Sequence, residues 1–302
     1  MNKNPQSRRF WRILGPILGY FGIQFVAQFV VQIIIMMLHM QDIVGIMQGT
    51  PDMTYTDLVT QMTVKLTNWI VMYQSQIAGF VAICTLPLPI ILYRKDRKME
   101  QAANLPVNKK APVQQYVWIL LFGIAFGLAM NVLIVMSGLA MKDTSYLSAS
   151  KALYSQSMGI MLLCQGILVP IAEEWMFRGV LYRRFREQMS FWGAAFTVAL
   201  FFALIHGSIT QITYTLILGV FLAYFYEKYG SLKAPILLHI LLNCVSIVAT
   251  KKDILLWLCS DMMRMSVCVV GCAFFGALAF VQIRKIDEKP EVNPIVNSEN
   301  EN

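Results

Sequence analysis

Residues 158–186 read MGIMLLCQGILVPIAEEWMFRGVLYRRFR, an apolar run that ends in two glutamates and an arginine-rich segment. The stretch 152–172 contains no Asp, Glu, Lys or Arg, and about 20 apolar residues suffice for a helix that crosses a bilayer. Glu173 and Glu174 follow directly, with Arg178 one helical turn later. A charged group at bilayer depth costs roughly 2.5–3.5 kcal/mol on insertion scales. Charges in this position therefore indicate a function.

The whole chain has the composition of a membrane protein. Of its 302 residues, 57% are hydrophobic and 14% are charged, whereas soluble domains carry about 25% charged residues. The uncharged run 188–226 is too long for one helix, and the segment 206–210 divides it into two. We predict an all-α polytopic membrane protein with about eight transmembrane helices. They lie near 13–38, 69–93, 115–139, 157–172, 191–206, 211–226, 233–249 and 265–283.

The order of these runs predicts the organisation of the chain. An N-terminal part, 1–150, holds the first three transmembrane helices and their connecting loops, and the segment 42–65 within it is predicted to be an external loop. A core bundle, 151–250, carries the polar motifs in the C-terminal half. The last transmembrane helix falls within 251–285. The tail 286–302 is polar, acidic and free of aromatic residues, and is predicted to be disordered.

Lysines and arginines between the spans predict the orientation. The basic segments are 3–12, 94–110, 178–186, 228–233 and 284–285. With eight spans they all lie on one side, so a multi-pass protein of the cell membrane with both termini in the cytoplasm is predicted. The net charge of +8 then reflects cytoplasmic loops and contacts with anionic lipids. The sequence has no zinc finger, RNP motif or basic stripe with interleaved aromatics, so nucleic acid is not a predicted partner.

Two further polar groups lie in apolar runs. Phe202 and His206 end the fifth predicted span, and His239 and Asn243 are four residues apart in the seventh, on one helix face. Each group alone has a structural explanation, such as an ion pair within a helix, a histidine bonding a carbonyl at the membrane boundary, or an interhelical hydrogen bond. Together they come from three helices, and polar groups inside membranes generally face the bundle interior. A shared site is therefore predicted.

Such a site has the residue types that activate water. A glutamate takes a proton from water, a histidine orients the water or protonates the leaving group, and His and Asn donors stabilise an oxyanion. No serine lies in a GxSxG context, and the HExxH zinc motif is absent. Zinc held by Glu173, His206 and His239 with an open position is the alternative, although no cofactor is favoured. The six cysteines form no CxxC pair and are interpreted as small buried hydrophobes.

The three motifs resemble those of a known family. They read Glu173-Glu174-xxx-Arg178, Phe202-xxx-His206 and His239-xxx-Asn243, in the order EExxxR, FxxxH and HxxxN. This region, about 155–250, is similar to the CAAX-protease and bacteriocin-processing group of intramembrane proteases, also called the Abi family and related to the Rce1-type prenyl endopeptidases. The resemblance implies an eight-helix fold and an endopeptidase site open to the cytoplasmic side.

The resemblance also implies a role for each motif residue. Glu173 would be the general base acting on water, and His206 its catalytic partner. Glu174 and Arg178 would orient and hold the site. The two residues of the HxxxN motif would bind the substrate carbonyl and its oxyanion. A metal-free glutamate mechanism is favoured over a metallopeptidase.

The predicted substrate is a peptide or a membrane protein, and it need not be prenylated. A non-catalytic membrane scaffold or bacteriocin self-immunity factor with the same fold is the alternative. A transporter would also place Glu and His in the membrane, but it would be expected to show inverted repeats and broken helices, which the sequence does not.

Overall fold

The computed structural model describes residues 5–48, 53–104 and 109–286, and all the regular structure within them is helical. In chain order the helices are α1 (Pro5–Leu38), α2 (Met40–Gln48), α3 (Tyr55–Met72), α4 (Gln74–Thr85), α5 (Pro87–Ala102), α6 (Val117–Met136), α7 (Leu139–Lys142), α8 (Thr144–Tyr154), α9 (Met158–Arg186), α10 (Phe191–Leu204), α11 (Ile209–Tyr229), α12 (Lys233–Lys251), α13 (Ile254–Cys259) and α14 (Met262–Arg284).

Seven helical stretches in the described ranges are long and apolar enough to cross a membrane. They are Arg9–Leu38, Gln74–Ala102, Val113–Met136, Met158–Arg186, Ile209–Tyr229, Lys233–Lys251 and Met262–Arg284. The eighth predicted span corresponds to α10, which is apolar but has only 14 residues. At 1.5 Å per residue its length is about 21 Å, shorter than a hydrocarbon core of about 30 Å. The prediction of an all-α polytopic membrane protein is confirmed, with eight as an approximate count.

The segment predicted to be a loop, 42–65, is largely helical. Helix α2 covers its start, and α3 begins at Tyr55. The polar residues that suggested a loop cap the helix instead, because Thr54 Oγ1 accepts a hydrogen bond from Asp57 N (3.2 Å) and the Asp57 carboxylate accepts one from Thr54 N (3.1 Å). The loop prediction is therefore wrong for this part. The predicted disordered tail lies almost wholly outside the described residues.

Helix α9 continues beyond residue 172, where the fourth span was predicted to end. It runs to Arg186 and includes two π-helical segments, Leu162–Leu168 and Trp175–Tyr182. The charges of the EExxxR motif do not end the helix, because Glu174 and Arg178 pair with each other inside the bundle. π-Helical segments are rare and are frequently found at functional sites.

One end of the bundle, called here the arginine-rich end, is held together by ion pairs. Arg184 donates from Nε to Asp96 Oδ2 (2.8 Å) and from Nη2 to Asp96 Oδ1 (3.1 Å), which joins α9 to α5. Arg12 of α1 donates to Glu187 Oε1 (2.7 Å), just after α9. The start of α1, the end of α5 and the end of α9 therefore lie together.

The ends of α11 and α14 lie at the same end of the molecule. Arg186 donates to Glu227 Oε1 (2.8 Å), and Lys228 Nζ donates to the carbonyl of Arg284 (3.3 Å). The start of α1 and the end of α14 thus lie at the same end of the bundle.

The opposite end, called here the α8 end, is held by hydrogen bonds around α8. Gln156 Nε2 donates to the Val71 carbonyl (2.9 Å), and Lys251 Nζ donates to the Tyr154 carbonyl (2.8 Å). These bonds bring α3, α12 and α8 together at this end.

Helices α10 and α11 form a hairpin whose close approach depends on Gly219. A Cβ atom at this position would lie 2.7 Å from Ala199 Cβ and 2.9 Å from Ala199 Cα. Only a residue without a side chain fits there, and the carbonyl of Gly219 also accepts a hydrogen bond from Arg178 Nη2 (3.2 Å). The hairpin is therefore fixed against α9 at this depth.

We predict that Gly219→Ala lowers the melting temperature of the purified protein in detergent. The added methyl group meets the backbone of α10, and overpacking of this kind costs about 1–3 kcal/mol. Gly271→Ala in α14 is the matched control, because a Cβ atom there meets nothing within 4 Å. The control should be neutral or slightly stabilising, since Ala is the better helix former. Equal melting temperatures for the two variants would contradict the close packing.

Candidate active site

The structure brings the three motifs together around His239 of α12. Its Nδ1 atom lies 2.9 Å from Glu174 Oε1, and its Nε2 atom lies 3.8 Å from Glu173 Oε2. Both glutamates belong to α9, and they point differently because successive helical residues are rotated by about 100°. The Glu174 side chain is fully buried, whereas that of Glu173 is 16% exposed. One carboxylate is thus enclosed and the other faces open space.

The enclosed carboxylate is neutralised by Arg178. Arg178 Nη1 donates to Glu174 Oε1 (2.8 Å), and neither side chain is exposed. The guanidinium lies over the ring of Phe202, 4.8 Å from its centroid, and donates to the carbonyl of Gly219. Arg178 thereby contacts α9, α10 and α11. Because a buried charge without a partner is strongly destabilising, this pair must form for the bundle to close.

Glu174 also determines the tautomer of neutral His239. A carboxylate oxygen can only accept, so His239 must carry its hydrogen on Nδ1 to bond Glu174. Its Nε2 atom then points towards Glu173. An acidic partner of this kind fixes the tautomer and the orientation of the ring.

His206 follows the end of α10 and is oriented by its own backbone. Its Nδ1 atom donates to the carbonyl of Phe202 (2.7 Å), which leaves Nε2 as the other ring position. The Phe202 ring is fully buried and packs edge-on against both histidines, with centroid distances of 4.8 Å to His206 and 5.7 Å to His239. The phenylalanine of the FxxxH motif is therefore the spacer between the two imidazoles.

Asn243 lies one turn after His239 and bonds to the first π-helical segment of α9. Its Nδ2 atom donates to the carbonyl of Gln165 (2.9 Å). An amide has two hydrogens on Nδ2, so one remains for another acceptor. The bond fixes the Asn243 side chain and joins α12 to α9.

A cavity of about 290 Å³ adjoins these side chains. Glu173, His206, His239 and Asn243 all line it, whereas Glu174 and Arg178 do not. The six predicted site residues thus divide into four that face the cavity and two that support them from behind. The other lining residues are mainly apolar, with tyrosine and amide side chains and no lysine or arginine.

The cavity has tyrosine walls that the sequence did not predict. Tyr146 and Tyr154 come from α8, and Tyr214 from α11. Helix α8 is neither apolar nor part of any motif, so only the fold reveals its position over the cavity. A tyrosine wall combines apolar area with polar tips.

Helix α8 is anchored beside His206 by Asp143. The Asp143 carboxylate accepts hydrogen bonds from Thr210 N (2.9 Å) at the start of α11 and from Tyr146 N (3.0 Å). These backbone donors, Thr210 first, hold the pKa of Asp143 below its ordinary value. Asp143 therefore connects α8 to the turn that carries His206.

The cavity lies towards the α8 end, because α8 and the turn between α10 and α11 contribute to its wall. The sequence predicts that the arginine-rich end lies in the cytoplasm, and the family resemblance implies a site open to the cytoplasm. Both stay predictions, because helical spacing alone does not show from which end of a bundle a buried group is reached.

The described residues contain no group of three or more His, Cys, Asp or Glu side chains arranged to hold a metal ion. In this arrangement Nδ1 of His239 bonds to Glu174, which leaves Nε2 as its remaining ring nitrogen.

The fold and the site together define an all-α membrane bundle with one glutamate, two histidines and one asparagine at a shared cavity. Residues 155–245, which include all three motifs, match the family model described as type II CAAX prenyl endopeptidase Rce1-like. This part of the chain is therefore similar to the Rce1-like family.

A protein of Bacillus subtilis (strain 168) named "Putative membrane peptidase YdiL" is 21% identical over 116 residues, 38% of this chain and 48% of that protein. The chain thus matches about half the length of this curated relative. No solved structure gives a significant match.

We predict that Arg178→Met strongly destabilises the protein. The substitution leaves Glu174 buried without its cationic partner, and breaking a buried pair costs about 3–5 kcal/mol. Arg97→Met is the matched control, because Arg97 pairs with Glu100 at a partly exposed position, where such pairs contribute about 0–1 kcal/mol. The melting temperatures of the two purified variants in detergent measure the two losses of stability. Similar losses for the two variants would show that the buried pair does not support the bundle.

Proposed function

We propose that the protein is an intramembrane endopeptidase that hydrolyses a peptide bond with water activated by Glu173. The observation that carries the proposal is the convergence of Glu173, His206, His239 and Asn243 on one cavity in a region that matches the Rce1-like family model. General base, general acid and oxyanion donors are the groups that amide hydrolysis requires.

In the proposed first step, Glu173 accepts a proton from a water molecule and the water oxygen attacks the substrate carbonyl carbon. The exposure of Glu173 to the cavity supports this role, whereas Glu174 is committed to Arg178. The C–O bond forms as the carbonyl oxygen becomes an oxyanion. Protonated Nε2 of His239 and the second amide hydrogen of Asn243 would stabilise it, with the Glu174 carboxylate compensating the imidazolium.

In the proposed second step, the C–N bond breaks and the leaving nitrogen takes up the proton that Glu173 accepted from water. Nε2 of His206 is proposed to pass this proton from Glu173 to the nitrogen, because Nδ1 is bonded to the Phe202 carbonyl. The immediate products are a carboxylic acid and an amine, which become a carboxylate and an ammonium group by proton exchange, and Glu173 and His206 return to their starting protonation states. The residues act without a metal in this scheme.

We predict that Glu173→Gln and His206→Ala each reduce cleavage by about 10²–10⁴-fold, the usual contribution of a positioned acid or base. Cleavage is measured with the purified protein in liposomes and a library of quenched-fluorescence peptides. Glu100→Gln is the control, because Glu100 pairs with Arg97 and Arg183 at the arginine-rich end. It should cleave at the wild-type rate.

The same assay is run with and without a strong chelator. An unchanged rate is expected for the glutamate mechanism. A loss of cleavage in the chelator that added zinc restores would instead indicate a metallopeptidase with Glu173, His206 and His239 as ligands. Wild-type cleavage by Glu173→Gln would contradict the proposed base. A cellular phenotype that survives alanine at Glu173 would favour the scaffold or self-immunity alternative.

A further inference from the structure

The two ends of the bundle differ in charge. Most of the lysines and arginines of the described residues lie at the arginine-rich end, in segments 9–12, 94–98, 109–110, 183–186, 228–233 and 284–285. The other half carries fewer and more widely spaced ones, at Lys65, Lys142, Lys151, Lys251, Lys252 and Arg264. Lysine and arginine in short loops set membrane orientation, with the richer side in the cytoplasm. This asymmetry assigns the α8 end to the opposite side of the membrane.

The short helix α10 shows where the site is open. Its start is fixed at the arginine-rich end, because Arg186 donates from Nη1 to the Met189 carbonyl (2.9 Å) and from Nε to Glu227. A helix of about 21 Å that begins there ends before it has crossed a hydrocarbon core of about 30 Å. His206 follows its last turn. His206 therefore lies short of the membrane surface at the α8 end, where it lines the cavity.

The bundle is closed on the other side of the cavity. Phe202, Leu222 and Leu238 are fully buried between the site and the arginine-rich end, as is the Glu174–Arg178 pair. The cavity wall at the α8 end is instead formed partly by α8, which lies outside the stretches that could cross a membrane. The polar cavity thus extends from Glu173 towards the α8 end, and a fully buried apolar layer separates it from the arginine-rich end.

We infer that the cavity is reached from the non-cytoplasmic side of the membrane. Its substrate is then a segment of a membrane-anchored or exported polypeptide that lies on that side, with an uncharged, largely apolar residue in the cavity. The residue preference follows from a lining of apolar, tyrosine and amide side chains without lysine or arginine, beside the acidic Glu173. The identity of the substrate rests on the proposed peptidase function, whereas the accessible side does not.

Cysteine labelling tests the side directly and requires no activity. Ser148→Cys places a thiol on the exposed surface of α8, and Gln101→Cys places one on the exposed end of α5. Both replace an uncharged residue, so neither alters the charge asymmetry. Expressing bacterial spheroplasts are treated with a membrane-impermeant maleimide before and after permeabilisation, and labelling is compared with that of the chain with native cysteines only.

Labelling of Ser148→Cys in intact spheroplasts, and of Gln101→Cys only after permeabilisation, is the expected result. Labelling of Gln101→Cys in intact spheroplasts, alone or together with Ser148→Cys, would overturn the inferred orientation.

Cleavage by sealed vesicles tests whether the substrate enters the cavity from the non-cytoplasmic side. Quenched-fluorescence peptides added outside should be cleaved at least tenfold faster by right-side-out vesicles than by inside-out vesicles of the same membranes. Faster cleavage by inside-out vesicles would overturn the inference. An absence of cleavage in both kinds, with the expected labelling, would overturn the peptidase proposal and its substrate while the orientation stands.

Discussion

The buried ion pair between Glu174 and Arg178 is the interaction on which the rest of the structure depends. A single charge inside a membrane bundle is costly, and these two charges neutralise each other at 2.8 Å without exposure. Arg178 also donates to the Gly219 carbonyl and lies over the Phe202 ring, and Glu174 Oε1 also accepts a hydrogen bond from His239. One pair thereby sets the positions of α10, α11 and α12 relative to α9.

This arrangement gives two adjacent glutamates different roles. Glu174 is held by Arg178 and in turn orients His239, while Glu173 on the next position of the helix faces the cavity. The proposed chemistry follows from this division, because a base must be free to accept a proton and an orienting group must not move. Two adjacent glutamates can therefore have different roles, because helical geometry turns neighbouring side chains to different surroundings.

Much of this could be predicted from the sequence. Uncharged runs predicted the membrane helices, since length and polarity decide spanning, and the three motifs predicted a shared site, since intramembrane polar groups face each other. The continuation of α9 to Arg186 could not be predicted in this way, because Glu173 and Glu174 end the uncharged run, whereas in the fold Glu174 and Arg178 neutralise each other inside the bundle. The tyrosines of α8 and the end from which the cavity is reached also depend on packing between distant segments. The division of the chain at 150 and 250 stays a prediction.

The central claim is that Glu173 performs the chemistry and Glu174 supports the structure. The most direct test is the cleavage rate and the melting temperature of Glu173→Gln and Glu174→Gln, measured on the same preparations. The account predicts that Glu173→Gln loses cleavage at an unchanged melting temperature. Glu174→Gln should lower the melting temperature, because Arg178 then lacks its anionic partner. A normal rate in Glu173→Gln, or an unchanged melting temperature in Glu174→Gln, would contradict it.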